Sequence, residues 1–296
     1  MPQLAGEQLS PNTVRLSKPT RAWVHLRVTD PLVAWLTYRG VLESVSQAGP
    51  DALSLWLLGT LRSSITEDPW FSARETQIES SRLNRNPQSV SRLKGVFAFP
   101  DRETADRAVK LWNGFQPYFL QEIEVRAGST VSYFDSQWID AMGTSTPPSR
   151  EWADSYATGA AHSDDPQWEL LIDGKADLIG TELRQKAYNV VRATWPEAVA
   201  PLEISRLGAQ LDSTIGYITA FGVLDGDSIS VQFAMDFRDA ENPDFTKRLG
   251  AHLAALPPDQ VNSADLAVGG DYFRVPDLRS RSLSIPLASW PLPTRD

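Results

Sequence analysis

The stretch Arg21-Ala22-Trp23-Val24-His25-Leu26-Arg27-Val28 decides how the rest of the chain is read. Val24, Leu26 and Val28 alternate with Trp23, His25 and Arg27. Side chains alternate across a strand, so the pattern predicts a β-strand with one core face. The other face carries an aromatic plate, an imidazole and a guanidinium in a row. That combination suits a nucleotide ligand. It also suits an edge strand with a solvated outer face, in which Arg27 pairs with Glu122 or Glu124 across a sheet.

Before this strand, residues 1–20 are polar with two prolines and read as a loose arm. After it, Asp30 is placed to cap a helix whose first residue is Pro31. A second helix is expected over about 51–65, apolar nearly all round and so buried. A third is expected over about 71–83, followed by the loop 84–87. Val96 to Phe99 is a short strand closed by Pro100, and Asp101 caps the helix that follows. Strands are expected at 118–125, 131–134, 167–174 and 176–179. Between them lie a polar stretch at about 143–150, a helix ending at Gly159 and an acidic loop at 160–166. A helix from Glu182 closes at Trp195-Pro196. Residues 200–237 read as β-rich, with a hairpin about Asp225-Gly226-Asp227. A helix at about 243–256 and an extended tail at 270–290 complete the chain. The change of texture places a domain boundary at about 198. The division is then 1–198 and a smaller, β-rich α+β unit at 199–296.

Composition narrows the function. The chain has 296 residues, 42% of them hydrophobic, enough for a substantial core. It contains no cysteine, which excludes disulfides, thiolate metal sites and cysteine nucleophiles and fits a cytoplasmic location. The N-terminal residues lack a basic start followed by an apolar stretch, so no secretory signal is expected, and no run of about 18 apolar residues suggests a membrane helix. The net charge of −9 makes a general affinity for nucleic-acid backbone a poor expectation. Arg82, Arg85, Arg92 and Lys94 form the one local basic cluster, readable as a patch or as a solvated loop. The three histidines, at 25, 162 and 252, have no zinc-ligand spacing, so no metal site is expected. Asp135 and Asp140 read as turn and capping residues rather than a metal pair.

Four blocks now stand in order: 23–28, Ser91-Arg92 before Val96-Phe97-Ala98-Phe99, Leu120 to Val125, and Trp168-Glu169-Leu170-Leu171. Over residues 20–182 this order resembles bacterial proteins with an ADP-ribosyltransferase-like fold. These include families found near toxin–antitoxin and phage-defence genes. The resemblance implies an α+β fold whose split, mixed sheet grips NAD in a cleft. It implies that His25 or Arg27 anchors the dinucleotide and that Ser91 supports the nicotinamide side. It also implies that Glu169 is the catalytic carboxylate at the nicotinamide ribose. The spacing leaves open an Arg-Ser-Glu or a His-Tyr-Glu arrangement.

The residue types make chemical sense in their own right. Cleaving the nicotinamide–ribose bond builds positive charge on the ribose, and a carboxylate fixed beside it stabilises that charge. A pyrophosphate is gripped best by a forked guanidinium. The nicotinamide ring needs an aromatic surface, for which Trp23, Tyr38, Tyr156 and Trp168 are available. Each of these has a plainer reading as core, rim or solvated strand. The leading expectation is an NAD-dependent ADP-ribosyltransferase, a toxin or defence effector that modifies a macromolecule, protein rather than nucleic acid, with an antitoxin protein as a further expected partner. The alternative is a non-catalytic scaffold whose ten tryptophans serve protein interfaces.

Overall fold

The structure is a computed structural model that describes residues 4–58, 70–143, 148–226, 228–257, 260–262, 265–266 and 274–286. The fold is α+β. The first half contains β1 (Gly6–Ser10), β2 (Thr13–Leu16), β3 (Thr20–His25), α1 (Pro31–Arg39), β4 (Val41–Glu43), β5 (Ala52–Leu53), α2 (Phe71–Arg85), β6 (Val96–Ala98) and α3 (Arg102–Leu111). Then come β7 (Leu120–Val125), β8 (Thr130–Asp135), α4 (Gln137–Met142), α5 (Arg150–Ala157), β9 (Trp168–Asp173) and β10 (Lys175–Leu178). The last part holds α6 (Glu182–Thr194), α7 (Val199–Gln210), β11 (Ile218–Asp225), β12 (Ser228–Met235), α8 (Pro243–Ala255) and β13 (Leu283–Pro286). Residues 55–58 are helical, and the rest of the helix expected to 65 lies outside the described residues. Residues 144–147, Asp227 and much of the expected tail also lie outside them.

The strands form three sheets, ordered β1-β2-β8-β9-β6, β3-β7-β10-β4 and β13-β12-β11-β5. Every ladder between the described strands is antiparallel, so the expected mixed sheet is not what forms. A single bridge joins the first two sheets, with Trp23 opposite Phe99. There the Trp23 N–H donates to the Phe99 carbonyl at 2.9 Å and the Phe99 N–H returns the bond at 2.6 Å. No ladder continues beyond it, so β3 and β6 part. The seam therefore sets β9, β6 and β3 side by side.

Three local readings differ from the sequence expectation. Of the expected loose arm, residues 1–3 lie outside the described residues, and the rest is not loose, because β1 and β2 form a hairpin that adds to β8. The Asn12 amide at the hairpin turn is buried and donates to the Tyr133 carbonyl at 2.8 Å, which fixes the register. Residues 199–210 are helical rather than extended. Pro201 falls in the first turn, where its missing N–H costs nothing, and Gly208 lets Ile215 and Phe245 pack closely. Finally, the division at 198 does not separate two cores. One continuous core holds Val24, Trp35 and Leu42 together with Leu202, Ile218, Val231 and Ile285. The β5 strand pairs with β11, and the buried Trp35 indole N–H donates to the Gly216 carbonyl at 2.7 Å.

Alternation places the functional side chains. Ala22 and Val24 of β3, Val96 and Ala98 of β6, and Leu170 and Ile172 of β9 enter the main core. Trp23, His25, Phe97, Phe99, Glu169 and Leu171 therefore lie on the opposite face of three neighbouring strands.

Candidate functional site

The seam opens at the end of β3. A cavity of about 260 Å³ lies there, with His25, Leu26 and Arg27 on one wall and Phe97 on the other. Trp56 and Phe115 add aromatic surface. Phe115 is set by the turn Trp112-Asn113-Gly114, in which Gly114 has φ +88°, a value a side chain would strain. The Phe115 ring stacks on His25 with centroids 4.1 Å apart, and Phe119 meets the same imidazole edge-on at 5.7 Å.

The His25 imidazole accepts at Nε2 from the Gln116 backbone N–H, at 3.0 Å. Burial, with the Arg27 guanidinium nearby, pulls its pKa down to about 4. The ring is thus neutral near pH 7, and the bond at Nε2 places the remaining proton on Nδ1. Nδ1–H is then the donor that this cavity-lining ring retains. Arg27 is exposed, and its side chain has no ion-pair partner among the described residues. The guanidinium that pairs with Glu122 and Glu124 belongs to Arg21 instead, at 3.6 and 3.3 Å.

Two strands away on the same face lies a buried polar cluster. Alternation alone would leave Glu169 free to face water; α2 and α5 cover it, and it is 6% exposed. Arg92 donates to Glu169, as does the Tyr156 hydroxyl. Arg92 also grips Glu75 with two bonds, at 2.8 and 3.1 Å, and donates to the Tyr156 oxygen at 2.8 Å. Its guanidinium lies 4.8 Å from the Phe97 ring centroid and 5.3 Å from that of Tyr156. Phe97 therefore separates this cluster from the seam cavity and touches both. Burial pushes the Glu169 carboxyl up, although Arg92 opposes the shift. Two carboxyl groups face one guanidinium in a low-dielectric setting, where burial favours the protonated form of Glu169.

The structure thus brings His25 and Arg27 together at the seam, and Tyr156 and Glu169 together in the cluster. It does not bring Ser91 or Trp168 to either. The Ser91 hydroxyl donates to Glu79 at 2.8 Å, tying the loop before β6 to α2. Trp168 points from the other side of β9 and packs on the main core. The basic cluster read from sequence dissolves into separate contacts. Arg82 pairs with Glu79, Arg85 with Asp154 and Arg92 with Glu75, while the Lys94 ammonium donates to the Gly49 and Pro50 carbonyls. Asp135 accepts the backbone N–H groups of Gln137, His162 and Gln167, a loop staple. No group of residues suited to holding a metal ion occurs among the described residues.

Sequence reasoning missed Arg92 and Glu75 as a pair, and Phe97 and Phe115 as cavity walls. Phe97 was within reach, because it alternates with the core residues Val96 and Ala98. Glu75 and Arg92 meet only through the packing of α2 on the sheet, which no spacing announces.

A family described as a protein of unknown function, DUF2441, matches residues 61–186. That span contains Glu75, Arg92, Phe97, Tyr156 and Glu169, and it excludes His25, Arg27 and everything beyond α6. No curated protein matches the chain. Over 61–186 the chain is therefore similar to a family whose own function is undefined.

Proposed function

We propose that the chain binds NAD at the seam and acts as an ADP-ribosyltransferase on a macromolecular target. One observation carries the reading. Three neighbouring strands offer an imidazole (His25), an aromatic ring (Phe97) and a carboxylate (Glu169) on one face, beside a cavity bordered by Arg27. Arg27 supplies the forked cation that a pyrophosphate needs. His25, held neutral, offers one Nδ1–H to a ribose hydroxyl or carboxamide oxygen. Trp56, Phe97 and Phe115 give a flat ring its apolar surface. Glu75 and Glu169 lie behind Phe97, where an ionised carboxylate favours positive charge developing at the seam.

Of the two arrangements implied by the resemblance, these positions favour the histidine-led one. Phe97 then stands on the middle strand where a tyrosine is expected, and the hydroxyl is missing. The net charge of −9 and the absence of a basic patch among the described residues favour a protein target. A scaffold reading is favoured by a different observation, the near-complete enclosure of Glu169 by Arg92 and Tyr156. The deciding experiment incubates the full chain with labelled NAD and cell lysate. Nicotinamide release with label passing to macromolecules supports the transferase. Tight NAD-independent capture of a protein, without release, supports the scaffold.

A further inference from the structure

A second cavity, of about 360 Å³, adjoins the first and shares Arg27, Val33 and Leu55 with it. Its remaining walls come from two distant parts of the chain. Thr29, Asp30 and Leu32 lie at the start of α1, whereas Phe233, Arg281 and Leu283 belong to β12 and the approach to β13. Two guanidinia, Arg27 and Arg281, therefore border one cavity from opposite ends of the sequence. Asp30 also borders it, but that carboxylate accepts the Leu32 N–H at 2.8 Å as the cap of α1. The Arg281 guanidinium is oriented by Trp195, whose ring centroid lies 5.8 Å away.

We infer that this second cavity takes the nucleoside diphosphate end of a dinucleotide, with Arg281 as a specificity-determining contact to its phosphates. The inference deepens the NAD reading and rests on it for the identity of the whole ligand. A pyrophosphate lying past Arg27 places its oxygens between two forks, and forked donors match phosphate geometry better than an ammonium. Phe233, Leu32 and Leu283 offer the apolar, partly aromatic surface that a purine needs. A ligand filling the first cavity reaches the second without leaving the seam, because Arg27 stands on their common wall. Residues beyond 199 then complete the substrate site.

The test is calorimetric titration of the full chain with ADP and, separately, with nicotinamide mononucleotide. It uses the wild type, Arg281→Ala and Arg281→Lys, each checked for an unchanged thermal melt. ADP affinity should fall at least about tenfold in Arg281→Ala, the loss of one charge-assisted pair, and less in Arg281→Lys. Nicotinamide mononucleotide affinity should stay unchanged. Failure of the wild type to bind ADP at millimolar concentration overturns the inference. So does an Arg281→Ala protein that binds ADP normally, or one that loses both ligands alike. If NAD itself is neither bound nor cleaved but ADP still depends on Arg281, the transferase reading fails and the phosphate site stands. If NAD binds independently of Arg281, the reverse holds.

Discussion

On one face of the sheet, Arg92 and Arg27 live under opposite conditions. Arg92 is enclosed by Glu75, Glu169 and Tyr156, with Phe97 against its flat side. Arg27, just past the end of β3, is exposed beside a cavity and has no ion-pair partner among the described residues. A buried charge must be matched or the fold fails, so the cluster is answerable to stability. An exposed, unmatched guanidinium adds little to stability and is free to serve a ligand. His25 belongs with Arg27, since it is kept neutral with one donor uncommitted. The difference separates what holds the sheet from what the sheet presents.

The largest effect should come from cutting the chain at 198. That removes β11 from β5, the Trp35 bond to Gly216 and part of the common core. The fragment 1–198 should lack a cooperative melt, and a soluble, cooperatively folding fragment would show that the seam needs nothing from beyond it. Next, Arg92→Ala strands two buried carboxylates and should lower stability by about 3–5 kcal/mol in chemical denaturation. Arg27→Ala should change stability by less than about 0.5 kcal/mol. Equal losses would erase the contrast between the two regions.

Glu169→Gln sharpens the comparison at smaller cost. Burial raises the folded-state pKa of Glu169 above its unfolded value, so folding favours its protonated form. The penalty is absent below the unfolded pKa and grows as pH rises towards the folded one. Gln removes that penalty but also the ion pair with Arg92, two opposing changes, so stability near pH 7 should change little. Transfer should nevertheless fall on the order of 100-fold, with NAD affinity intact, if the carboxylate acts only in the transition state. Unchanged turnover would remove Glu169 from the mechanism.

The last comparison is a pH slope. The folded pKa of His25 is about 4 against 6.5 for the free side chain. Its contribution to stability is therefore full above pH 6.5 and is lost as pH falls towards 4. The slope should approach one proton, about 1.4 kcal/mol per pH unit, and His25→Gln should abolish it. A slope that survives the substitution would place the acid sensitivity elsewhere, and His25 would no longer be a buried neutral donor.

Much of the frame was legible in the sequence because its signals are local. Asp30-Pro31 and Asp101 cap α1 and α3 as expected, with bonds to Leu32 and Thr104. The alternation in 21–28 predicts the two faces of β3, although the ladder ends at His25 and leaves Arg27 outside it. The hairpin of β11 and β12 follows its turn residues. What stayed hidden depends on long-range packing. Helix α7 was masked by Val199, Pro201 and Ile204, residues that weaken helical propensity but are overruled by burial. The partnership of Arg92 with Glu75 needs α2 laid across the sheet. The sharing of one core across residue 198 needs β5, only two residues long, to find β11.

The central claim, that the seam is an NAD site centred on Arg27, is tested most directly by thermal melting of the full chain in increasing NAD, with Arg27→Ala alongside. A ligand that binds only the folded state stabilises it by mass action, about 2.7 kcal/mol at a hundredfold excess over Kd. The wild type should melt higher as NAD rises, and Arg27→Ala should need far more NAD for the same shift. A wild-type melt that does not move at millimolar NAD, or an equal shift in both proteins, would contradict the claim.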